Sequence, residues 1–318
     1  MTKPKILAVA GPTASGKSAL AVRLATLFSG EIISCDSMQI YRRMDIGTAK
    51  PTEAECRLVP HRMIDVVSPE EDFSCADYVK MAAGEVEEVL KNGRLPVFCG
   101  GTGLYLDAFL RGSDFAETCI DNELREELRV FAEQNGNEAL HKELQKIDPE
   151  SAAEIHPNNV KRVIRAIEIY RTSGKTKSEI DRLSQECESL YDALVIALRY
   201  NDRALLYRRI DERVDAMIAE GLLAETEMLY KEGIFERNST AAQAIGYKEM
   251  LGYIKGEATL AEATELLKGA TRRYAKRQMT WFSSKSYVKW IDADCDGKMR
   301  EFDRIVEDAS LLMRDNGF

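Results

Sequence analysis

Ile6-Leu-Ala-Val-Ala10-Gly11-Pro12-Thr13-Ala14-Ser15-Gly16-Lys17-Ser18 decides the fold. Its second half fits G-x-x-x-x-G-K-[ST], the glycine-rich phosphate cradle. An apolar β-like run (Ile6 to Ala10) precedes it and a helical pattern (Ser18 to Phe28) follows. In that setting successive backbone N–H groups point inward at a phosphate. Lys17 adds a mobile positive charge, and the Ser18 hydroxyl can bind Mg²⁺. A glycine turn without a ligand is the plainer alternative, and the strand before and helix after argue against it. The motif predicts a bound phosphate or diphosphate. It does not make that phosphate ATP's.

Working outward, the first strand reads as Lys5–Ala10, Glu31–Cys35 and Leu95–Cys99 are further strand candidates, and Ser74 to Leu90 reads as a helix. Ser74 and Asp77 have capping-box spacing, and Val79, Ala83, Val86 and Leu90 share one face. Strands alternating with helices predict an α/β fold, a parallel sheet flanked by helices around the P-loop. Phosphate chemistry then belongs at the carboxyl ends of the strands. Gly11–Ser18, Asp36–Tyr41 and Gly100–Tyr105 each follow a strand directly, so three loops gather at one edge. From Asp114 to Leu190 the chain is charged, helix-forming and without strands, which predicts an all-helical insertion. Tyr191 to Tyr200 returns as a strand, and the rest is mainly helical, including Asp202 to Glu220. The expected division is 1–113, 114–190 and 191–318.

The 318 residues have room for two cores, and no apolar run is long enough to cross a bilayer. Seven cysteines stand singly (Cys35, Cys56, Cys75, Cys99, Cys119, Cys187 and Cys295). Their odd number and irregular spacing argue against a disulfide framework or zinc site, and for a reducing cytoplasm. The first strand begins too early to leave room for a signal peptide. A net charge of −9 argues at first against nucleic acid. Yet Leu266 to Trp290 holds seven basic residues and no acidic one, with Arg272/Lys276 and Arg273/Arg277 four apart. Either this is a solvated basic face, or it contacts a phosphate backbone, with Tyr274, Trp281, Phe282 and Tyr287 interleaved.

Beside the cradle, Asp36 can bind Mg²⁺ through water, act as a general base, or simply cap a turn. Gly100-Gly101-Thr102-Gly103 permits close approach of backbone to ligand, and Thr102 adds a hydroxyl donor. Arg209 and Arg213 lie four apart on the helix after the returning strand, as surface cations or as arms reaching a phosphate. No apolar strand ends in Asp or Asp-Glu as in motor-type ATPases, and there is no N-K-x-D base-reading motif. A small-substrate transferase is favoured.

Read together, GPTASGKS, DSMQIY, MDIGTAKP, PHRMID, FSCADY, GGTGLY, the run Lys161-Arg-Val-Ile-Arg165-Ala-Ile-Glu168, AIGYKE and RQMTWF resemble the tRNA dimethylallyltransferase (tRNA isopentenyltransferase) family. The motifs occur in order from near Lys5 to near Trp290. The resemblance implies transfer of a dimethylallyl group from dimethylallyl diphosphate to N6 of adenosine 37 beside the tRNA anticodon. It implies that Gly11, Pro12, Thr13, Ala14, Ser15, Gly16, Lys17 and Ser18 cradle the donor's diphosphate, with Mg²⁺ on Ser18. Asp36 is then the base toward adenine N6, and Thr102 and Arg213 serve the pyrophosphate side. The implied tRNA contacts are Asp36, Ser37, Met38, Gln39, Thr102, Arg125, Lys161, Arg162, Val163, Ile164 and Arg165. Gln243, Gly246, Tyr247 and Lys248 join them, with Arg272, Arg273 and Arg277 tracking phosphates. The insertion would close over the anticodon stem. Arg43 stands where the family often has Gly, and Lys161 where Gln is usual.

Three rival readings exist. An adenylate isopentenyltransferase would have no use for the insertion and the basic stripe. A small-molecule kinase fits the DSMQIY and GGTGLY loops poorly. A non-catalytic RNA-binding protein would not need Lys17 and Asp36 together. The chain is expected to act as a monomer without an obligate protein partner.

Overall fold

A computed structural model describes residues 3–112, 121–186 and 189–318. Backbone contacts divide it into two units: Arg111–Leu190, and the remainder formed by 1–110 with 191–318. The expected boundary at Asp114 and the cysteines Cys119 and Cys187 lie outside the described residues.

In the larger unit the order begins β1 (Lys5–Ala10), α1 (Lys17–Leu27), β2 (Gly30–Ser34), α2 (Glu53–Leu58), β3 (His61–Arg62), α3 (Cys75–Lys91), β4 (Leu95–Cys99) and α4 (Gly103–Leu110). Six strands form one sheet in the order β3-β2-β4-β1-β5-β6, with every pairing parallel. β5 (Asp192–Arg199) and β6 (Val288–Asp292) come from the chain after the smaller unit. Side chains alternate between the faces with the period of two a strand imposes. Leu7, Val9, Ile32, Val97 and Ile196 pack on one side against Leu20 and Leu24 of α1. Ile6, Ala8, Ile33, Phe98 and Val195 pack on the other against Tyr78 and Val86 of α3 and Phe109 of α4. Both faces are covered, which explains the nearly unbroken apolar strand sequences. The α/β expectation is borne out, with β1 and β4 at the bounds read from the sequence and β2 and β5 within a residue or so.

Two sheet strands were not foreseen. β3 is only two residues long, too short to show a period. β6 begins at the end of the basic run: Val288 and Ile291 are buried in the cores on opposite faces of the sheet while Lys289 is exposed, so no period-two alternation marks it. The remaining helices are α10 (Arg203–Glu220), α11 (Leu222–Lys231), α12 (Ile234–Arg237), α13 (Ser239–Ala242), α14 (Tyr247–Ile254), α15 (Leu260–Ser283) and α16 (Phe302–Asp315). A small hairpin, β7 (Asp294–Cys295) with β8 (Lys298–Met299), precedes α16. Residues of α10 through α15 enclose a third core around Tyr41, Met44, Tyr247 and Met250, which fixes the segment after β2.

The smaller unit contains α5 (Asn122–Asn135), α6 (Asn137–Ile147), α7 (Pro149–Glu154), α8 (Val160–Ser173) and α9 (Lys177–Glu186). Its core is Leu124, Leu128, Leu140, Leu144, Val163 and Ile167. Buried Asp148 caps α7 through the Ser151 N–H and also accepts the Ser178 N–H and hydroxyl. Among the described residues, no helix is long and apolar enough to cross a membrane.

Candidate active site

The cradle turns from β1 into α1 through backbone that only particular residues accept. Gly16, the residue before α1, sits at φ +93°, a left-handed conformation that costs other residues strain. The loop is held from outside: Arg209 Nε donates to the Ala14 carbonyl (2.9 Å) and the buried Tyr200 hydroxyl to the Ser15 carbonyl (3.2 Å). Lys17 Nζ donates to the Pro12 carbonyl at 3.2 Å. Burial lowers the Lys17 pKa, nearby Cys99 and Asp36 oppose that, and the Arg213 charge adds to it. Arg213 reaches the loop from α10, with Nη1 3.5 Å from Thr13 Oγ1, and burial lowers its pKa too. Desolvated cations gathered on a glycine-rich turn make a site that gains by binding an anion.

One cavity of about 470 Å³ is lined by Thr13, Lys17, Ser18 and Arg213 together with Asp36. The Asp36 carboxylate accepts from the Met38 N–H through Oδ1 (2.9 Å), which orients the group. Thr102 Oγ1 accepts from the Ser37 N–H (3.0 Å), so the loops after β2 and β4 are joined beside it. That junction is close: a Cβ on Gly100 would stand 2.0 Å from the Cys35 carbonyl oxygen. Tyr274 of α15 also lines the cavity; burial pushes its phenol up, the Asp36 charge does so further, and a hydrogen bond with Thr102 opposes them. Cys99, at the end of β4, is pushed up to about 11 by burial, leaving its thiol protonated and a poor nucleophile near neutrality.

The other residues singled out from the sequence divide by what their side chains do. Gln39 takes a hydrogen bond from the Ser34 hydroxyl and donates to the Thr48 and Ala49 carbonyls, so its amide holds the loop. Lys161 and Arg162 are exposed near the start of α8, whereas Val163 and Ile164 are buried in the core of the smaller unit. Those two side chains pack inward, so the side chains that this run turns outward are Lys161, Arg162 and the partly exposed Arg165. Arg125 and Arg165 both bind the fully buried Glu168, at 2.8 and 2.6 Å, and stay partly exposed. Gln243 and Lys248 are exposed, but Tyr247 is buried and donates its hydroxyl to Glu225 (2.7 Å). The Tyr247 ring packs in the third core, and Gly246 beside it is buried. On α15, Arg272 is spent on a two-pronged ion pair with Asp211, while Arg273, Lys276 and Arg277 are exposed. Arg43 adopts φ +67°, the conformation that favours glycine, and pairs with Glu232 at 2.6 Å.

Three residues have roles that the sequence did not reveal. Glu225 of α11 accepts the N–H groups of Asp45, Ile46 and Gly47, pinning the MDIGTAKP loop. Glu168 fixes two arginines. Gln278, which stands inside RQMTWF without a role read from it, bridges two loops of the cavity.

Known proteins agree with this geometry. A family profile described as IPP transferase matches residues 39–285, and one described as isopentenyl transferase matches residues 4–71. The tRNA dimethylallyltransferase of Bacillus cytotoxicus is 46% identical over 314 residues, covering 99% of this chain and 98% of that protein. That of Bacillus subtilis strain 168 is 48% identical over 291 residues, covering 92% and 91%. Among solved structures, the tRNA isopentenylpyrophosphate transferase of Bacillus halodurans is 44% identical, with a TM-score of 0.73 over 99% of this chain and 97% of that one. A eukaryotic dimethylallyltransferase acting on tRNA is 28% identical, with a TM-score of 0.81 over 98% and 79%. Full-length identity at this level, on the same P-loop sheet, makes this chain a member of the tRNA dimethylallyltransferase family of IPP transferases.

Proposed function

We propose that this chain transfers a dimethylallyl group from dimethylallyl diphosphate to N6 of adenosine 37 in tRNA, releasing diphosphate. The observation that carries this reading is the single cavity that brings Lys17, Ser18 and Arg213 together with Asp36. The allylic carbon tolerates partial positive charge, so the larger barrier lies in charge accumulating on the departing diphosphate. Lys17, Arg213 and the cradle amides stabilise that charge in a water-poor setting. Asp36, oriented by the Met38 N–H, accepts the N6 proton as the C–N bond forms. Thr102 keeps the acceptor-side loop in register with the cradle.

The oxygen donors fit Mg²⁺. Ser18 and Asp36 line the same cavity, and among the described residues no cluster of three His, Cys, Asp or Glu side chains is built to cage a metal. Such sparse ligation suits an ion that keeps its waters and leans on substrate phosphate oxygens. When bound, Mg²⁺ would help neutralise the diphosphate.

The acceptor base must leave the stacked anticodon loop to reach a cavity this deep. Arg273, Lys276 and Arg277 supply phosphate contacts on the larger unit, and Lys161 and Arg162 do so on the smaller one. Apparent tRNA affinity should therefore fall steeply with salt. Arg273→Ala should reduce the log–log slope by about 1. Arg272→Ala should move it less, since that charge is already met by Asp211. Equal slope changes in filter-binding titrations would contradict the division. The reaction is placed in the cytoplasm, with the protein acting as a monomer.

The test is mass spectrometry of unmodified tRNA incubated with the protein, dimethylallyl diphosphate and Mg²⁺, with AMP as a competing acceptor. A five-carbon gain on tRNA and none on AMP is expected. A gain on AMP would move the chain to the nucleotide-modifying branch.

A further inference from the structure

We infer that Gln278 is a positioning residue of the transfer reaction, setting the donor cradle and the acceptor-side loop at a fixed distance from each other. The inference rests on the proposed transfer activity. Gln278 comes from the last part of α15, is 4% exposed, and lines the cavity. Its amide has two ends and both are used. Oε1 accepts the Thr13 N–H of the cradle at 2.8 Å, and Nε2 donates to the Gly101 carbonyl at 3.0 Å. The approach is so close that a Cβ on Gly101 would lie 2.0 Å from Nε2.

The two groups it joins belong to opposite halves of the chemistry. Thr13 is the cradle residue whose hydroxyl lies 3.5 Å from Arg213, on the leaving-group side. Gly101 leads into Thr102, whose hydroxyl accepts the Ser37 N–H next to Asp36, on the acceptor side. One planar amide therefore spans donor and acceptor machinery. Transfer in a preformed geometry loses about 10²-fold for a misplacement near 1 Å. Four residues earlier on the same helix face, Tyr274 meets Thr102, while Arg273 and Arg277 lie on the exposed face. Gln278 lines the cavity, yet both ends of its amide are engaged by the two loops it joins.

The chemistry of the amide suggests the test. Gln278→Leu fills similar space and makes neither hydrogen bond. Gln278→Glu keeps an acceptor for Thr13 N–H but, when ionised, sets a carboxylate against the Gly101 carbonyl. When protonated, its O–H donates to Gly101 and its carbonyl accepts from Thr13, restoring both bonds. Single-turnover transfer to tRNA is measured for wild type and both variants, along with the donor KM and thermal unfolding. In folded Gln278→Leu, kcat should fall about 10²-fold, with donor KM changing less than about tenfold. The Gln278→Glu rate relative to wild type should rise as pH falls, because only the neutral carboxyl copies the amide. A folded Gln278→Leu with kcat within twofold of wild type, or a Gln278→Glu ratio flat with pH, would overturn the inference. A wild-type protein without transfer would instead sink the functional reading beneath it.

Discussion

Replacing Arg213 with alanine should slow single-turnover transfer about 10³-fold, and replacing Asp36 should cost only about 10- to 10²-fold. The order follows from where charge develops. As the allylic C–O bond stretches, negative charge grows on the diphosphate, and Arg213 is a desolvated cation positioned 3.5 Å from the Thr13 hydroxyl of the cradle. Its removal leaves Lys17 to share that charge with the cradle amides, and Lys17 already has its pKa lowered by burial. Asp36 has a lesser task, because the adenine amine loses its proton readily once bonded to an electrophilic carbon. Its carboxylate also lies close enough to raise the pKa values of both Lys17 and Arg213. Asp36→Ala should therefore bind inorganic diphosphate more tightly than wild type while transferring more slowly. A larger loss for Asp36→Ala than for Arg213→Ala would show that proton removal, not leaving-group stabilisation, dominates.

Gly100→Ala should be among the most damaging small substitutions in the chain. The added carbon would stand 2.0 Å from the Cys35 carbonyl oxygen and 2.3 Å from its carbon, both backbone atoms. Nothing flexible can yield there. The Cys35 N–H bonds to the Cys99 carbonyl (2.8 Å), and the Thr102 N–H bonds to the Cys35 carbonyl (3.2 Å). Relief requires parting the ends of β2 and β4, where Asp36 and Thr102 are mounted. We expect a loss of about 3 kcal/mol or more, read as a fall in Tm on the order of 10 °C. Gly84→Ala, inside α3 with open space around its Cβ, is the contrasting case and should be neutral or stabilise by roughly 0.5–1 kcal/mol. A Gly100→Ala protein with unchanged Tm would mean that the two loops are not packed as described.

The contrast between those glycines also shows what a sequence displays. The β1–cradle–α1 unit was legible because strand period, glycine turn and helix start follow one another within a few residues. The capping box Ser74/Asp77 of α3 was legible for the same reason, and the observed side chains close it as expected. β6 was hidden because its buried residues, Val288 and Ile291, are three apart and serve opposite faces of the sheet, with exposed Lys289 between them. Gln278 was hidden because its two partners, Thr13 and Gly101, lie 265 and 177 residues away in the chain. RQMTWF contains the residue, but no local pattern gives it this role. The runs of motif residues proved to be mixtures. Lys161 and Arg162 are exposed while Val163 and Ile164 close a core. Gln243 and Lys248 are exposed while Tyr247 is buried against Phe235. A contiguous motif on a helix must present some residues inward, and the 3.6-residue period decides which. Arg272 teaches the related point for charge: its place in a basic stripe said nothing about Asp211, which lies on a different helix.

Arg43 reverses the lesson. The residue that departs from the usual glycine holds a left-handed backbone and pairs with Glu232. The conformation that makes glycine common there is retained, and the ion pair offsets part of its strain.

The most direct measurement is single-turnover transfer from dimethylallyl diphosphate to an unmodified anticodon stem–loop, followed by mass spectrometry of the nucleosides. Stem–loops with adenosine or guanosine at position 37 are run side by side. The account predicts N6-dimethylallyladenosine at position 37 from the first and no five-carbon gain from the second. Equal modification of both, or of neither, would contradict it.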